Sequence, residues 1–382
     1  LTLRKYKVLI ALNSSWNLLN FRSSLIRALV AEGYEVVAVA PDDAYSARLS
    51  ELGCRFVPLP MDNQGAHPLR DLLLTFRFWQ LLRRERPDVL LAYTVKPNIY
   101  GSLAAGLLGM PVVNNIAGLG AVFIKGGWLV RFVRCLYRLA LRRSAKVFFQ
   151  NGDDKDLFVE AGLVRPEQTD LLPGSGIDLT RFIPEGYESK TSPATEQIRF
   201  RFLLIARMLR DKGVAEYVAA AKLLRAPWPN VDFCLLGFLD VENPAAISTD
   251  EMNAWVAEGY VRYLGVSDDV RSEIATADCI VLPSYREGTP RTLLEAAAMA
   301  KPIITTDAVG CREVVEDGLN GYLCKVRDAE DLAAKMERML GLSMSERAAM
   351  GRAGRMKMEA QFDEKIVISK YLQVVAELVG KR

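Results

Sequence analysis

The chain has 382 residues, too many for one ordinary core, so two domains are expected. Half of its residues are hydrophobic and a quarter are charged, a composition that excludes a disordered or fibrous protein. Its net charge of +3 conceals an asymmetry: residues 1–150 carry 20 Lys and Arg against 9 Asp and Glu, the remainder 29 against 37, so the basic half calls for an anionic partner.

YKVLIAL (6–12) reads as a buried strand and Phe21–Glu32 as a helix stopped by Gly33. EVVAVA (35–40) and RFVPLP (55–60) are the next strands, and Leu69–Arg86 is a helix closed by Pro87. DVLLAY (88–93), PVVNNI (111–116) and KVFFQ (146–150) are further strands. Pro97–Ile124 holds no charge over 28 residues, more than a membrane span needs. It also holds Asn98, Asn114, Asn115, Pro111 and five glycines, so it reads as helix, turn, strand and loop. Pro184–Gln197 is rich in Glu, Ser, Thr and Pro, the best linker in the chain.

The pattern then restarts with RFLLIA (201–206), VDFCLLG (231–237), VRYLG (261–265), CIVLPS (279–284) and PIITT (302–306). Helical segments near 328–341, 344–361 and 364–380 close the chain. Strands separated by helices mean parallel sheets. The expected fold is α/β: two tandem Rossmann-like domains facing across a cleft, with ligands at the carboxyl ends of the strands. The expected boundaries are 1–183, a linker at 184–198, 199–363, and a last helix at 364–382 that can cross back to the first domain. Six scattered cysteines without a C-x-x-C pair fit a reducing compartment and argue against structural zinc. No charged segment followed by an apolar core opens the chain, so no signal peptide is expected.

The stretch REGTPRTLLEAAAMAKP (286–302) carries two glutamates around a turn. Gly288-Thr289-Pro290 lies between a strand's carboxyl end and a helix's amino end, where free N–H groups and the helix dipole bind phosphate. Helix is expected from Thr289, with Pro290 in its first turn. A glutamate beside phosphate makes sense if it accepts hydrogen bonds from hydroxyls. Glu287 in the turn and Glu295, about two turns into the helix, fit ribose and sugar on either side of a diphosphate. The bland alternative is a solvated turn residue and an ordinary helix residue. ARMLRDKG (206–213) supplies Arg207 and Lys212 at another strand-to-helix mouth, suited to clamp a diphosphate.

These residues, with GSGID (174–178), make the chain resemble glycosyltransferase family 4, the retaining GT-B family. EGTPR (287–291), TDAVGCREVVEDGLNGYL (306–323) and SSWNLLNFR (14–22) further resemble bacterial enzymes that build lipid-carrier-linked oligosaccharides. The resemblance implies that Arg207 and Lys212 bind the donor diphosphate, Glu295 the ribose hydroxyls and Glu287 the transferred sugar. It places the phosphate cradle around Gly288, Thr289 and Arg291, and the base near Gly265 and Val266. Many relatives place a histidine after a first-domain strand; here VVNNIAGLG (112–120) has none, and Asn115 or the backbone at 118–120 is the expected substitute. The only histidine, His67, precedes Pro68 in a loop-like segment.

The implied reaction moves a hexose or N-acetylhexosamine from a UDP-sugar to a polyprenyl-diphosphate-linked saccharide, with retention. No cofactor and no metal are expected. Asp154-Lys155-Asp156 matches the D-x-D of metal-dependent transferases, but it follows Asn151-Gly152 at a helix start, where capping accounts for it. Arg22 and Lys96, with Asn115, are the expected acceptor contacts. GWLVRFVRCLYRLALRRSAK (127–146) sets Trp128 and Phe132 on an apolar face among Arg131, Arg134 and Arg138, which suits an anionic membrane surface. The helix at 69–86 shares that character. The expected location is cytoplasmic, at the inner face of the plasma membrane. A soluble transferase with a small acceptor and a sugar-nucleotide epimerase are the enzymatic alternatives. A membrane scaffold or nucleic-acid-binding protein is the non-enzymatic one; no nucleic-acid motif is present.

Overall fold

The computed structural model describes residues 5–62, 67–118, 128–184, 199–241 and 243–380, with the side chains of 128 and 129 outside that set. The chain divides into two compact units: residues 1–175 with 364–382, and residues 176–363.

The first unit runs β1 (Lys7–Ala11), α1 (Ser15–Phe21), α2 (Ser23–Ala31), β2 (Glu35–Ala40), β3 (Arg55–Pro58), α3 (Pro68–Glu85) and β4 (Val89–Tyr93). It continues through α4 (Ser102–Leu107), β5 (Val112–Ile116), α5 (Trp128–Leu141), β6 (Lys146–Phe149), α6 (Gly152–Glu160) and β7 (Thr169–Leu171). These strands pair in parallel in the order β3-β2-β1-β4-β5-β6-β7, so the winding reverses between β1 and β4.

The second unit runs β8 (Phe200–Ile205), α7 (Val214–Arg225), β9 (Val231–Leu236), α8 (Thr249–Ala257), β10 (Arg262–Tyr263), α9 (Arg271–Thr276) and β11 (Cys279–Leu282). Then come α10 (Arg291–Ala298), β12 (Ile303–Thr306), β13 (Gly321–Cys324), α11 (Ala329–Leu340) and α12 (Met344–Lys357). Its sheet is parallel in the order β10-β9-β8-β11-β12-β13. The last helix, α13 (Glu364–Gly380), belongs to the first unit.

Strand residues alternate between faces, and both faces of the first sheet are covered, which is why its strands read as unbroken apolar runs. Leu9, Val37, Leu90 and Val112 pack with Phe78 of α3, Ala104 of α4 and Tyr137 of α5. Val8, Ile10, Val36 and Leu91 pack with Leu18 of α1, Ile26 of α2, and Val367, Tyr371 and Val375 of α13.

Three expectations are corrected. The first boundary moves from 183 to 175, because Ile177 and Phe182 are buried with Leu293 and Phe362, and the Ile177 N–H donates to the Phe362 carbonyl at 2.8 Å. The single helix at Phe21–Glu32 is two helices. Ser14 Oγ caps the first by accepting from the Asn17 N–H at 3.2 Å, and Arg22 at φ −131° separates them. Helix α10 starts at Arg291, not Thr289, because Pro290 keeps extended backbone at ψ 115°. The expected linker lies, from residue 185 on, outside the described residues.

Candidate active site

Loops that follow the strands of the second sheet emerge at its carboxyl edge. The β8 loop brings Arg207 and Lys212, and the β11 loop brings Glu287. Their backbones are fastened: the Tyr285 N–H donates to the Asp211 carbonyl and the Glu287 N–H to the Val309 carbonyl, each at 2.9 Å. Two glycines make that packing possible. A Cβ on Gly213 (φ +72°) would stand 2.1 Å from the Pro283 carbonyl oxygen, and one on Gly310 (φ +84°) 2.4 Å from that of Glu287. The charge spacing assigns neither glycine to the site; the available signals are the glycine that closes ARMLRDKG and the GC pair inside TDAVGCREV.

The close approach sets Lys212 Nζ 2.5 Å from Glu287 Oε1, both half-buried. Arg207 is exposed, and its side chain has no hydrogen-bond or ion-pair partner among the described residues. The N-cap residue of helix α10, Pro290, offers no side-chain hydrogen bond, and the helix dipole places partial positive charge at that end. Thr292 Oγ1 donates to the Ile205 carbonyl at 3.0 Å and ties that end to β8.

Glu295 sits about one turn into α10 rather than two, since the helix starts later than expected. Its Oε1 accepts from Arg291 Nε at 2.9 Å. Burial pushes its carboxyl above the ordinary value of 4.5; the charges of Arg291 and Arg181 pull it back, and that of Asp269 raises it. Arg181 and Asp269 are neighbours that the motif spacing did not reveal. The Cys311 thiol is pushed up to about 12, first by burial and then by the charge of Glu287, so it stays neutral behind the pair. Gly265 (φ +79°) accepts from the Gly237 N–H at 2.8 Å, and Val266 beside it is exposed.

In the first unit, the switch between β1 and β4 gathers Arg22, Tyr93 and Asn115, all buried. The Arg22 guanidinium lies 4.3 Å from the centre of the Tyr93 ring. Asn115 Nδ2 donates to the Tyr371 hydroxyl of α13 at 3.0 Å. Arg22 Nε and Asn115 Oδ1 are buried without a hydrogen-bond partner among the described residues. Neighbouring Asn114 is satisfied by Asn98, Ser102 and Ser144, so it is structural. Thr94, directly after β4, holds φ +61°, a strained conformation for a β-branched residue. Lys96 is held instead by Asp71 of α3, at 3.0 Å, with both side chains largely buried.

Two family models divide the sequence: "Glycosyl transferase 4-like domain" matches residues 21–174 and "Glycosyl transferases group 1" residues 199–341. The chain is 30% identical, over 94% of its length and 96% of the relative's, to the N,N'-diacetylbacillosaminyl-diphospho-undecaprenol alpha-1,3-N-acetylgalactosaminyltransferase of Campylobacter jejuni. The chain belongs to the group 1, family-4-like glycosyltransferases. It is also 23% identical to the UDP-Gal:alpha-D-GlcNAc-diphosphoundecaprenol alpha-1,3-galactosyltransferase of Escherichia coli, over 78% of this chain and 76% of that one. Anabaena Alr3699/HepE, solved with UDP-glucose, superposes with a TM-score of 0.76 at 22% identity, over 98% of this chain and 99% of the other. Two parallel-sheet units of this kind are the GT-B fold.

In this glycosyltransferase the D-x-D segment lies in the first turn of α6, which Asn151 caps: Asp154 is fully buried, its N–H donates to Asn151 Oδ1 at 2.8 Å, and its carboxylate accepts from Asn151 Nδ2 at 3.2 Å. Among the described residues no His, Cys, Asp and Glu cluster could hold a metal. His67 caps α3, where Asp71 accepts from its N–H at 3.1 Å. On α5, Arg131 and Phe132 are exposed, while Arg138 donates to the Ala161 and Gly162 carbonyls at 3.0 Å. Arg134 is half-buried with its Nε unpartnered. The Trp128 side chain, Leu119 and Gly120 lie outside the described residues. No described helix is long and apolar enough to cross a membrane.

Proposed function

We propose that this glycosyltransferase moves a hexose or N-acetylhexosamine from a UDP-sugar to a polyprenyl-diphosphate-linked saccharide, with retention, at the inner face of the plasma membrane. The observation that carries the reading is the Lys212–Glu287 pair at the carboxyl edge of the second sheet, beside exposed Arg207 and the amino end of α10. The names of the Campylobacter and E. coli relatives support the lipid-diphosphate acceptor.

Arg207, Lys212 and the amino end of α10 stabilise the charge that develops on the departing diphosphate. Each such preorganised group is worth about 3 kcal/mol, roughly a hundredfold in rate. Glu287 accepts from the hydroxyls of the transferred sugar, and Glu295, fixed by Arg291, accepts from the ribose. The acceptor hydroxyl attacks the anomeric carbon on the face the diphosphate leaves, and a departing phosphate oxygen takes its proton. The new glycosidic bond replaces the bond to phosphate, and the configuration is kept. Gly265 and Val266 border the base, and the backbone at Gly288, Thr289 and Arg291 borders the phosphates. Arg22 and Asn115, at the switch point of the first sheet, bring unspent hydrogen-bonding atoms toward the acceptor. The cations carry the electrophilic role, so no resident metal or cofactor enters this scheme.

The test is transfer from a panel of UDP-sugars to saccharides on a short isoprenoid diphosphate, with the product's anomeric configuration read by NMR. Transfer with retained configuration, persisting in a chelator, is expected. Transfer only to acceptors lacking the isoprenoid diphosphate would replace this reading with a small-acceptor transferase. Epimerised nucleotide sugar as the sole product would replace it with an epimerase.

A further inference from the structure

Helix α3 shows, on one side, an apolar surface that the first unit's core leaves unused. Leu74, Phe78, Leu81 and Leu82 face the sheet. Leu69, Leu72, Leu73 and Phe76, at the i, i+3, i+4, i+7 spacing of one helix face, are 74%, 68%, 46% and 50% exposed. Four large apolar side chains in two turns make a contiguous patch of the kind that marks a docking surface.

The same face changes character along the helix. Past Phe76 it carries Gln80, Arg83 and Arg84, all exposed. Phe76 stacks on Trp79 at 5.8 Å, and Arg83 lies over Trp79 at 5.2 Å. Beside this end, between α3 and the edge strand β3, a cleft of about 590 Å³ is lined by Trp79 and by Arg77, Arg83, Arg84 and Arg86. The two acids of α3 are turned away: Asp71 is buried against Lys96, and Glu85 is buried against Arg55, Arg84 and Lys7. Asp62 nearby is paired with Arg70 at 2.7 Å.

We infer that α3 is the membrane-inserting element, with Leu69, Leu72, Leu73 and Phe76 entering the acyl region of an anionic bilayer and the arginine-lined cleft taking lipid phosphate. Charge decides the occupant: an apolar face continued by Arg83 and Arg84, where the one carboxylate in reach among the described residues is Glu85 against Arg84 at 3.3 Å, matches an anionic lipid surface, where apolar burial and electrostatic attraction add. Helix α4 packs against both α3 and α5, so the three helices cover one side of the sheet. There α5 offers a smaller patch, Phe132 and Leu139 at 43% and 58%, and spends Arg138 on carbonyls of the first unit. The inference rests on the membrane-linked acceptor proposed above and names the surface that reaches it.

The experiment is co-sedimentation of the full chain with vesicles of phosphatidylcholine plus phosphatidylglycerol, and of phosphatidylcholine alone. The wild type binds the anionic vesicles and loses them as salt rises. Leu72→Glu/Phe76→Glu lowers that affinity about tenfold or more, Arg83→Glu/Arg84→Glu lowers it and flattens the salt dependence, and Phe132→Glu/Leu139→Glu has a smaller effect. Leu69→Gln/Leu72→Gln repeats the first test without added charge, and melting curves confirm folding. Unchanged vesicle binding in the α3 variants, or a larger loss from the α5 variant, overturns the inference. So does a concentration-dependent dimer that the α3 variants dissolve while vesicle binding persists. Transfer to a water-soluble, short-chain acceptor is unchanged in every variant; its absence in the wild type would instead overturn the proposed reaction.

Discussion

Opposite charges on Lys212 and Glu287 hold each other at 2.5 Å, yet the reaction proposed here asks one to grip phosphate and the other sugar. The pair fixes both side chains where two different parts of one donor meet. Replacing Lys212 by Met leaves Glu287 half-buried without its cation, at a cost of about 1–3 kcal/mol. A thermal-denaturation cycle with Glu287→Gln then gives a double variant less destabilised than the sum of the singles; strict additivity would show that the pair is not coupled. Arg207 has no such structural duty. Arg207→Ala lowers kcat by about two orders of magnitude with an unchanged melting temperature, and near-normal turnover removes its diphosphate role. Glu295 gives a pH signature. Its folded pKa is raised above 4.5, so its contribution to stability is full below 4.5 and is lost as pH rises through the folded value. Donor affinity runs the other way, because the carboxylate is the acceptor: binding weakens as pH falls through that same value. Calorimetric titration of UDP against pH shows the decline in the wild type, and Glu295→Gln flattens it.

Most of the elements were legible because a strand buried on both faces is a continuous apolar run, and eleven of the thirteen strands among the described residues announce themselves that way or nearly so. The two that did not, β7 at Thr169–Leu171 and β13 at Gly321–Cys324, are short edge strands whose residues carry little pattern. The break at Arg22 was hidden because α1 and α2 share an apolar phase, and only the Ser14 cap distinguishes them. In the site, the charged residues and their spacing were legible, whereas Gly213, Gly310 and the Arg181–Asp269 surroundings of Glu295 depend on contacts between distant loops. Lys96 was indistinguishable from a site cation until α3 set Asp71 against it. Loop packing carries its own test. Gly213→Ala drives a methyl into the Pro283 carbonyl, so the loops must separate. The expected result is a loss of roughly 2 kcal/mol or more, with kcat falling further than Arg207 exposure alone would explain. Wild-type kinetics in that variant would show that the loops have slack.

At the scale of the molecule, the first unit is discontinuous: one face of its sheet is covered in part by α13, which returns after the whole second unit. Tyr371 joins the hydrogen-bonded cluster at the switch point through Asn115, and Lys370 reaches Asp170 at 3.1 Å. Residues 1–175 alone therefore remain aggregation-prone, and adding a peptide of residues 364–380 restores protected amides in hydrogen exchange. Cooperative unfolding of the isolated 1–175 fragment would contradict this. On the ribosome the same feature acts as a timer. The part of the first sheet that α13 covers, beside β4 and α2, stays bare while the second unit is translated. That nascent surface is the natural target for a chaperone, and release can come only when the tail of the polypeptide emerges to cover it.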